Sequence, residues 1–217
     1  MNDPAENLED RLTVFIVDDD ASVRDSLALL LGLRGFNTRV FDSADSFLAA
    51  ASGGATGGAE KWAGCLLTDI RMPGLSGLEL LKLLGRSEAP RIAIPVVIMS
   101  AHGDVASVRQ AFRDSAVDFL AKPFSDEDLI AAIEQSFSID RRRLQAEVQQ
   151  HRQQGMIDSL TEREREICDL MIDGLSNHEI AAKLGISHRT AQVHRGHIMQ
   201  KMGATTLAEL IYRCRGN

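Results

Sequence analysis

Five short apolar runs, each followed by a stretch of helical period, constrain this chain more than any other feature. TVFIVD (13–18), FNTRVF (36–41), CLLTD (65–69), IPVVIMS (94–100) and VDFLA (117–121) have strand length. Between and after them come ASVRDSLALLLGLRG, SADSFLAAA, LSGLELLKLLG, DVASVRQAFRDS and SDEDLIAAIEQSF, which place apolar residues on one helical face. Most of the strand runs are apolar throughout rather than alternating, so both their faces are buried. That requires a parallel sheet covered by helices on each side. Right-handed crossovers then give an α/β doubly wound, five-stranded parallel sheet of flavodoxin-like type over residues 11–138.

Beyond residue 138 the pattern changes. IDRRRLQAEVQQHRQQGMID (139–158) is polar, with Leu144 and Val148 one turn apart and Phe137 a heptad before Leu144. It reads as a helical linker continuing the last helix, with a short coiled-coil stub as a variant reading and a break at Gly155. Residues 159–217 are helical by pattern. Thr161…Glu164 and Ser176…Glu179 are capping boxes, Ser187 is an N-cap, and Gly174, Gly185 and Gly203 are stops. Four helices result, and the second and third, joined at LGIS, form a helix-turn-helix.

Charge divides the chain in the same way. Counting Lys+Arg against Asp+Glu, residues 1–138 carry 12 − 21 = −9, whereas 183–217 carry 6 − 1 = +5 with His188, His194 and His197 interleaved. An acidic front and a basic end imply two modules with different partners. No apolar run approaches the ~20 residues of a membrane span. The first ten residues, MNDPAENLED, are acidic and polar and do not read as a signal peptide. Three cysteines (Cys65, Cys168, Cys214) without metal-ligand spacing read as reduced thiols, so a cytoplasmic protein is expected.

In an open parallel sheet, ligands bind at the carboxyl ends of the strands. Those ends carry Asp18, Asp19 and Asp20 after the first strand, Asp69 after the third, Ser100 after the fourth and Lys122 after the fifth. Clustered carboxylates repel unless a cation sits among them, and few carboxylates with several waters suit Mg²⁺. A lysine and a hydroxyl on the same rim offer donors to a phosphoryl group. Together they describe phosphoryl transfer to an aspartate. Singly, each has a plain structural reading: Asp20 as a helix cap, Ser100 as a turn residue, Lys122 as a surface charge.

VDDD, TDIRMPG.SG, the Ser of VVIMSAHGD, and DFLAKPF resemble the receiver domain of two-component response regulators. The resemblance implies Asp69 as phosphoacceptor and Asp18, Asp19, Asp69 and the Arg71 backbone carbonyl as the Mg²⁺ site. It also implies Lys122 as partner of the phosphoryl group, followed by cis-Pro123. Ser100 becomes the switch hydroxyl, where Thr is commoner, and Phe119 the switch aromatic. A sensor histidine kinase is the implied phosphodonor. The loop SGGATGGA (52–59) is longer than usual in the family and reads as a surface insertion; His102 reads as a loop residue of the FixJ branch.

In the third helix of the back module Ala191, His194, Ile198 and Met202 share the core-facing side, leaving Arg189, Thr190, Gln192, Val193 and Gly196 toward a DNA groove, flanked by Arg195. Gln192 suits a base edge, Val193 a thymine methyl and the arginines phosphate or guanine. Lys201 is a further candidate contact or a solvated charge, and His194 either packs or contacts. LTEREREICDLM…GLSNHEIAAKLGISHRTAQVHRGHIMQKMGA resembles the LuxR-type helix-turn-helix, with Ala191 in place of a more usual valine. The expected protein is a transcription factor of the NarL/FixJ class rather than an enzyme. Its expected partners are promoter DNA, RNA polymerase and a second copy of itself on phosphorylation. Two competitors are a haloacid-dehalogenase-like phosphatase, with Asp18 as nucleophile and Asp20 as acid, and a regulator that works without phosphorylation.

Overall fold

The computed structural model of the chain describes residues 12–52, 62–85, 93–101 and 105–215. Most of the SGGATGGA loop and the His102–Gly103–Asp104 run lie outside the described residues. Five strands, β1 (Thr13–Val17), β2 (Asn37–Phe41), β3 (Gly64–Asp69), β4 (Val96–Ser100) and β5 (Asp118–Ala121), alternate with α1 (Ala21–Leu33), α2 (Ala44–Ala51), α3 (Gly77–Leu84), α4 (Val105–Arg113) and α5 (Asp126–Asp158). All strands pair in parallel, in the order β2-β1-β3-β4-β5. The doubly wound sheet expected from the apolar runs is the one observed.

The alternation of side chains along each strand explains why both faces are apolar. Val14, Ile16, Cys65, Leu67, Val97, Met99 and Leu120 enter one core with Leu27 and Leu31 of α1 and Leu129, Ile133 and Phe137 of α5. Phe15, Val17, Leu66, Val96 and Ile98 enter the other with Phe47 of α2, Leu80 and Leu81 of α3 and Ala111 of α4. Each helix covers the sheet with the stripe its sequence encodes.

The chain divides into two compact units between Leu144 and Gln145. α5 is 33 residues long and runs through Gly155, which is not the expected break. A helix-interior glycine costs roughly 1 kcal/mol relative to alanine, too little to end a helix whose next residues, Met156 and Ile157, pack on the second unit's core. The coiled-coil variant also fails for this stretch, because Phe137 and Leu144 are buried in the first unit's own core.

The first turns after residue 138 are anchored by a charge. Asp140 is fully buried, accepting from the Gly64 backbone N–H at 2.7 Å and from Arg143 Nε at 2.7 Å. A second Arg143 nitrogen donates to the Trp62 carbonyl at 3.3 Å. Gly64 stands at φ +125°, and a Cβ there would lie 2.0 Å from the Thr13 carbonyl oxygen. Only glycine lets β3 start this close to β1.

The second unit holds α6 (Glu162–Ile172), α7 (Asn177–Leu184), α8 (His188–Lys201) and α9 (Leu207–Arg215). Both capping boxes form as expected, and Ser187 caps α8. Gly185 ends α7 in the left-handed conformation at φ +65°, turning the chain into α8. Ile167, Met171, Ile180, Ala191, Ile198, Met202 and Leu210 form its core.

Candidate functional site

Because every strand points the same way, one rim of the sheet collects residues far apart in sequence. Asp18 follows Val17, and Val17 lies beside Thr68. Asp69 closes β3 beside Met99, and Ser100 pairs with Ala121, the residue before Lys122. Asp18 (2% exposed), Asp69 (8%) and Ser100 (2%) are buried, although each is polar.

Buried carboxylates need partners, since desolvating an unpaired charge costs several kcal/mol. Lys122 supplies one for both: its Nζ donates to Asp69 Oδ1 at 2.7 Å and to Asp18 Oδ2 at 2.9 Å. The Arg71 backbone N–H donates to Asp69 Oδ2 at 2.6 Å, and the Asp20 N–H to Asp18 Oδ1 at 2.9 Å. Burial works to lower the Lys122 pKa, but the hydrogen bonds to Asp69 and then Asp18, with their charges, outweigh it and raise it above its ordinary value. A salt bridge spanning 53 and 104 residues of sequence therefore holds the rim together.

Other predicted residues take their places around it. Asp20 caps α1, accepting from the Ser22 N–H at 2.8 Å, which lowers its pKa together with the Val23 N–H. Asp19 is exposed. Ser100 lends its carbonyl to the Lys122 N–H at 2.7 Å, ahead of a cis Lys122–Pro123 bond. Phe119 of β5 is half-buried against the core on the α2, α3 and α4 face.

Arg24 and Gly77 also shape the rim. Arg24 donates to the Asp18 carbonyl at 2.6 Å. Gly77 opens α3 so close to the end of β3 that a Cβ would sit 2.1 Å from the Asp69 carbonyl oxygen. The SG of DIRMPGLSG was visible as a motif element; the clash that demands glycine was not.

Among the described residues no three His, Cys, Asp or Glu side chains form a metal-binding cluster. The donor chemistry nonetheless fits Mg²⁺, which takes oxygen ligands and is held by one or two carboxylates with the remaining positions filled by water. Asp18 and Asp69 are such a pair, with exposed Asp19 beside them.

A second surface lies on α8. Ala191, Ile198 and Met202 are buried as expected, and the small Ala191 side chain, 1% exposed, fits the core. His194 is half-buried, and its Nδ1 is buried without a hydrogen-bond partner, so its ring packs. Arg189, Thr190, Gln192, Val193 and Gly196 are exposed; Arg195 is half-buried. α8 carries no acidic residue, so its outer face offers basic, amide, hydroxyl and small apolar groups. Lys201 turns inward instead: its Nζ donates to Glu164 Oε2 at 2.6 Å and to the Ser159 carbonyl at 3.1 Å. Hydrogen bonds from Lys201 and then from the Thr161 backbone and hydroxyl depress the Glu164 pKa from 4.5 to about 2.

Comparison with known proteins finds a family match for each unit. Residues 14–134 match the response regulator receiver domain, and residues 158–213 match the LuxR family of bacterial regulatory proteins. The transcriptional regulatory protein FixJ of Bradyrhizobium diazoefficiens is 40% identical over 198 residues, 91% of this chain and 92% of that protein. The transcriptional regulatory protein TdiR of Thauera aromatica is 36% identical over 92% of this chain and 84% of its own. Among solved structures, the response regulator StyR matches with a TM-score of 0.80 at 40% identity, covering 94% of this chain and 98% of that one. These matches span both units at substantial identity, and the chain belongs to the family of FixJ-like transcriptional response regulators, which join a receiver domain to a LuxR-type DNA-binding domain.

Proposed function

We propose that Asp69 is the phosphoacceptor of this regulator and that a sensor histidine kinase is its donor. The observation that carries the reading is Lys122, whose ammonium bridges Asp69 and Asp18 at 2.7 and 2.9 Å. A carboxylate oxygen of Asp69 attacks the phosphorus of a phosphohistidine, the P–N bond breaks, and the imidazole leaves with a proton. Lys122 is placed to follow the transferred group, donating to its oxygens as it did to the carboxylate. Asp18, Asp19, Asp69 and the Arg71 carbonyl would hold Mg²⁺, which neutralises the incoming phosphoryl charge.

Ser100 then serves as the switch hydroxyl and Phe119 as the aromatic that follows it. Their movement repacks the surface around α4 and β5, favouring a receiver dimer that pairs two DNA-binding units on a two-half-site operator. Residues 11–138 act as the receiver, 139–158 as a helical linker and 159–217 as the DNA-binding domain. Arg189, Thr190, Gln192, Val193 and Arg195 face promoter DNA. Lys201 drops to a supporting role, because its charge is committed to Glu164. The dimer acts in the cytoplasm, where RNA polymerase is its further partner.

The phosphatase reading loses its general acid, since Asp20 is occupied as the cap of α1, and it leaves Asp69 without a role. The test is labelling by a small-molecule phosphodonor with Mg²⁺. Wild-type protein takes up one base-labile phosphoryl group and Asp69→Asn takes up none. Label that persists in the variant overturns the assignment, and turnover of phosphate esters abolished by Asp18→Asn would restore the phosphatase.

A further inference from the structure

The sequence scatters the cysteines, but the fold does not. Cys168 of α6 and Cys214 of α9, 46 residues apart, bring their sulfurs to 3.8 Å. We propose that these two thiols form a reversible intramolecular disulfide on exposure to a hydroperoxide, a redox-modification site in the DNA-binding unit separate from Asp69.

A disulfide bond is about 2.05 Å long, so the sulfurs must approach by roughly 1.8 Å. Their positions differ in a way that orders the chemistry. Cys168 is 3% exposed, and burial, then neighbouring Cys214, pushes its thiol up to about 12, so it stays protonated. Cys214 is half-buried near the end of α9, and it is the thiol that a small oxidant meets first. The Cys214 thiolate attacks one peroxide oxygen, the O–O bond breaks, and the departing oxygen leaves as water or an alcohol, giving a sulfenic acid. The Cys168 sulfur then displaces hydroxide from that sulfenic acid, forming the S–S bond, and its proton leaves in a second water. Two thiols and one peroxide thus yield one disulfide, with both electrons accepted by the O–O bond. Cys65 takes no part: it is fully buried in β3 of the other unit, where burial and the charge of Asp140 raise its pKa.

The bond would join the first and last helices of the unit and enclose α7 and α8. α9 already packs on α6 through the common core, with Leu210 fully buried. Its outer side shows Tyr212, 68% exposed two residues before Cys214. The crosslink fixes the helix that presents this ring. Closing a loop of this size restricts the unfolded chain and raises the unit's melting temperature by about 10 °C.

The experiment is thiol counting on the full-length protein. Protein with and without hydrogen peroxide is denatured, alkylated and weighed. Untreated protein takes three alkyl groups, one for each cysteine. Treated protein takes one, has lost two hydrogens, runs as a monomer on a non-reducing gel, and regains all three sites with dithiothreitol. Cys214→Ser takes two with or without peroxide, and its melting temperature does not move. Three free thiols after treatment, a sulfinic acid at Cys214 without a crosslink, an intermolecular bond, or a peroxide-induced melting shift that survives in Cys214→Ser each overturn the proposal.

Discussion

The receiver rim and the outer face of α8 hold their polar groups in opposite ways. In the receiver, Asp18, Asp69 and Lys122 are drawn from three strand ends into a buried cluster in which each charge depends on the others. On α8, Arg189 and Gln192 stand exposed on one helix, placed by local periodicity alone. Buried charges are bound to stability, because removing one strands its partner. Exposed charges are bound to a ligand and barely to the fold. Substitutions in the first unit should therefore disturb folding and chemistry together, whereas those on α8 should separate them.

The largest effect is expected where a charge is most deeply buried. Asp140→Ala strips the Gly64 N–H of its acceptor and Arg143 of its counter-charge, and should cost about 3 kcal/mol in denaturant unfolding of the receiver. Lys122→Met leaves Asp18 and Asp69 facing each other, but its site is partly open to water, so about 2 kcal/mol is expected. Millimolar Mg²⁺ should restore part of that loss, and a variant as stable as wild type without metal would break the contrast.

On α8 the expectation reverses. Gln192→Ala should leave the melting temperature unchanged while lowering discrimination at one base pair roughly tenfold, read by competition between operator variants. Glu164→Gln sharpens the comparison, because it is a buried pair inside the DNA-binding unit. Losing its ion pair with Lys201 should cost about 1 kcal/mol at pH 7. The folded pKa of Glu164 is depressed to about 2 from 4.5, so its contribution is present above pH 4.5 and lost as the pH falls toward 2. The difference between wild type and Glu164→Gln should shrink over that window. Smallest is Arg189→Ala, expected to change the slope of log affinity against log salt by about one, with sequence preference retained.

The same contrast explains what could be read from the sequence. The sheet, its strand ends and the rim residues were legible because apolar runs announce buried strands and because all parallel strands end on one rim. The caps of α6, α7 and α8 were legible because a capping box is a local pattern. Asp140 was hidden in a polar stretch that read as linker, since nothing local tells a buried aspartate from a solvated one. Gly155 misled because glycine is a weak breaker once neighbouring residues pack. Lys201 shared the periodicity of the exposed residues of α8, and only the fold shows it turned to Glu164. Gly77 and the Cys168–Cys214 approach likewise depend on contacts between distant segments.

The central claim is that one phosphoryl group on Asp69 is felt by the helix carrying Gln192. The direct measurement is the affinity of wild type and Asp69→Asn for a DNA duplex selected from a random pool, with and without phosphodonor and Mg²⁺. Coupling of ordinary strength predicts that the donor tightens wild-type binding by about tenfold or more and leaves Asp69→Asn unchanged. Equal wild-type affinity in both conditions, or a donor response that survives in Asp69→Asn, would contradict it.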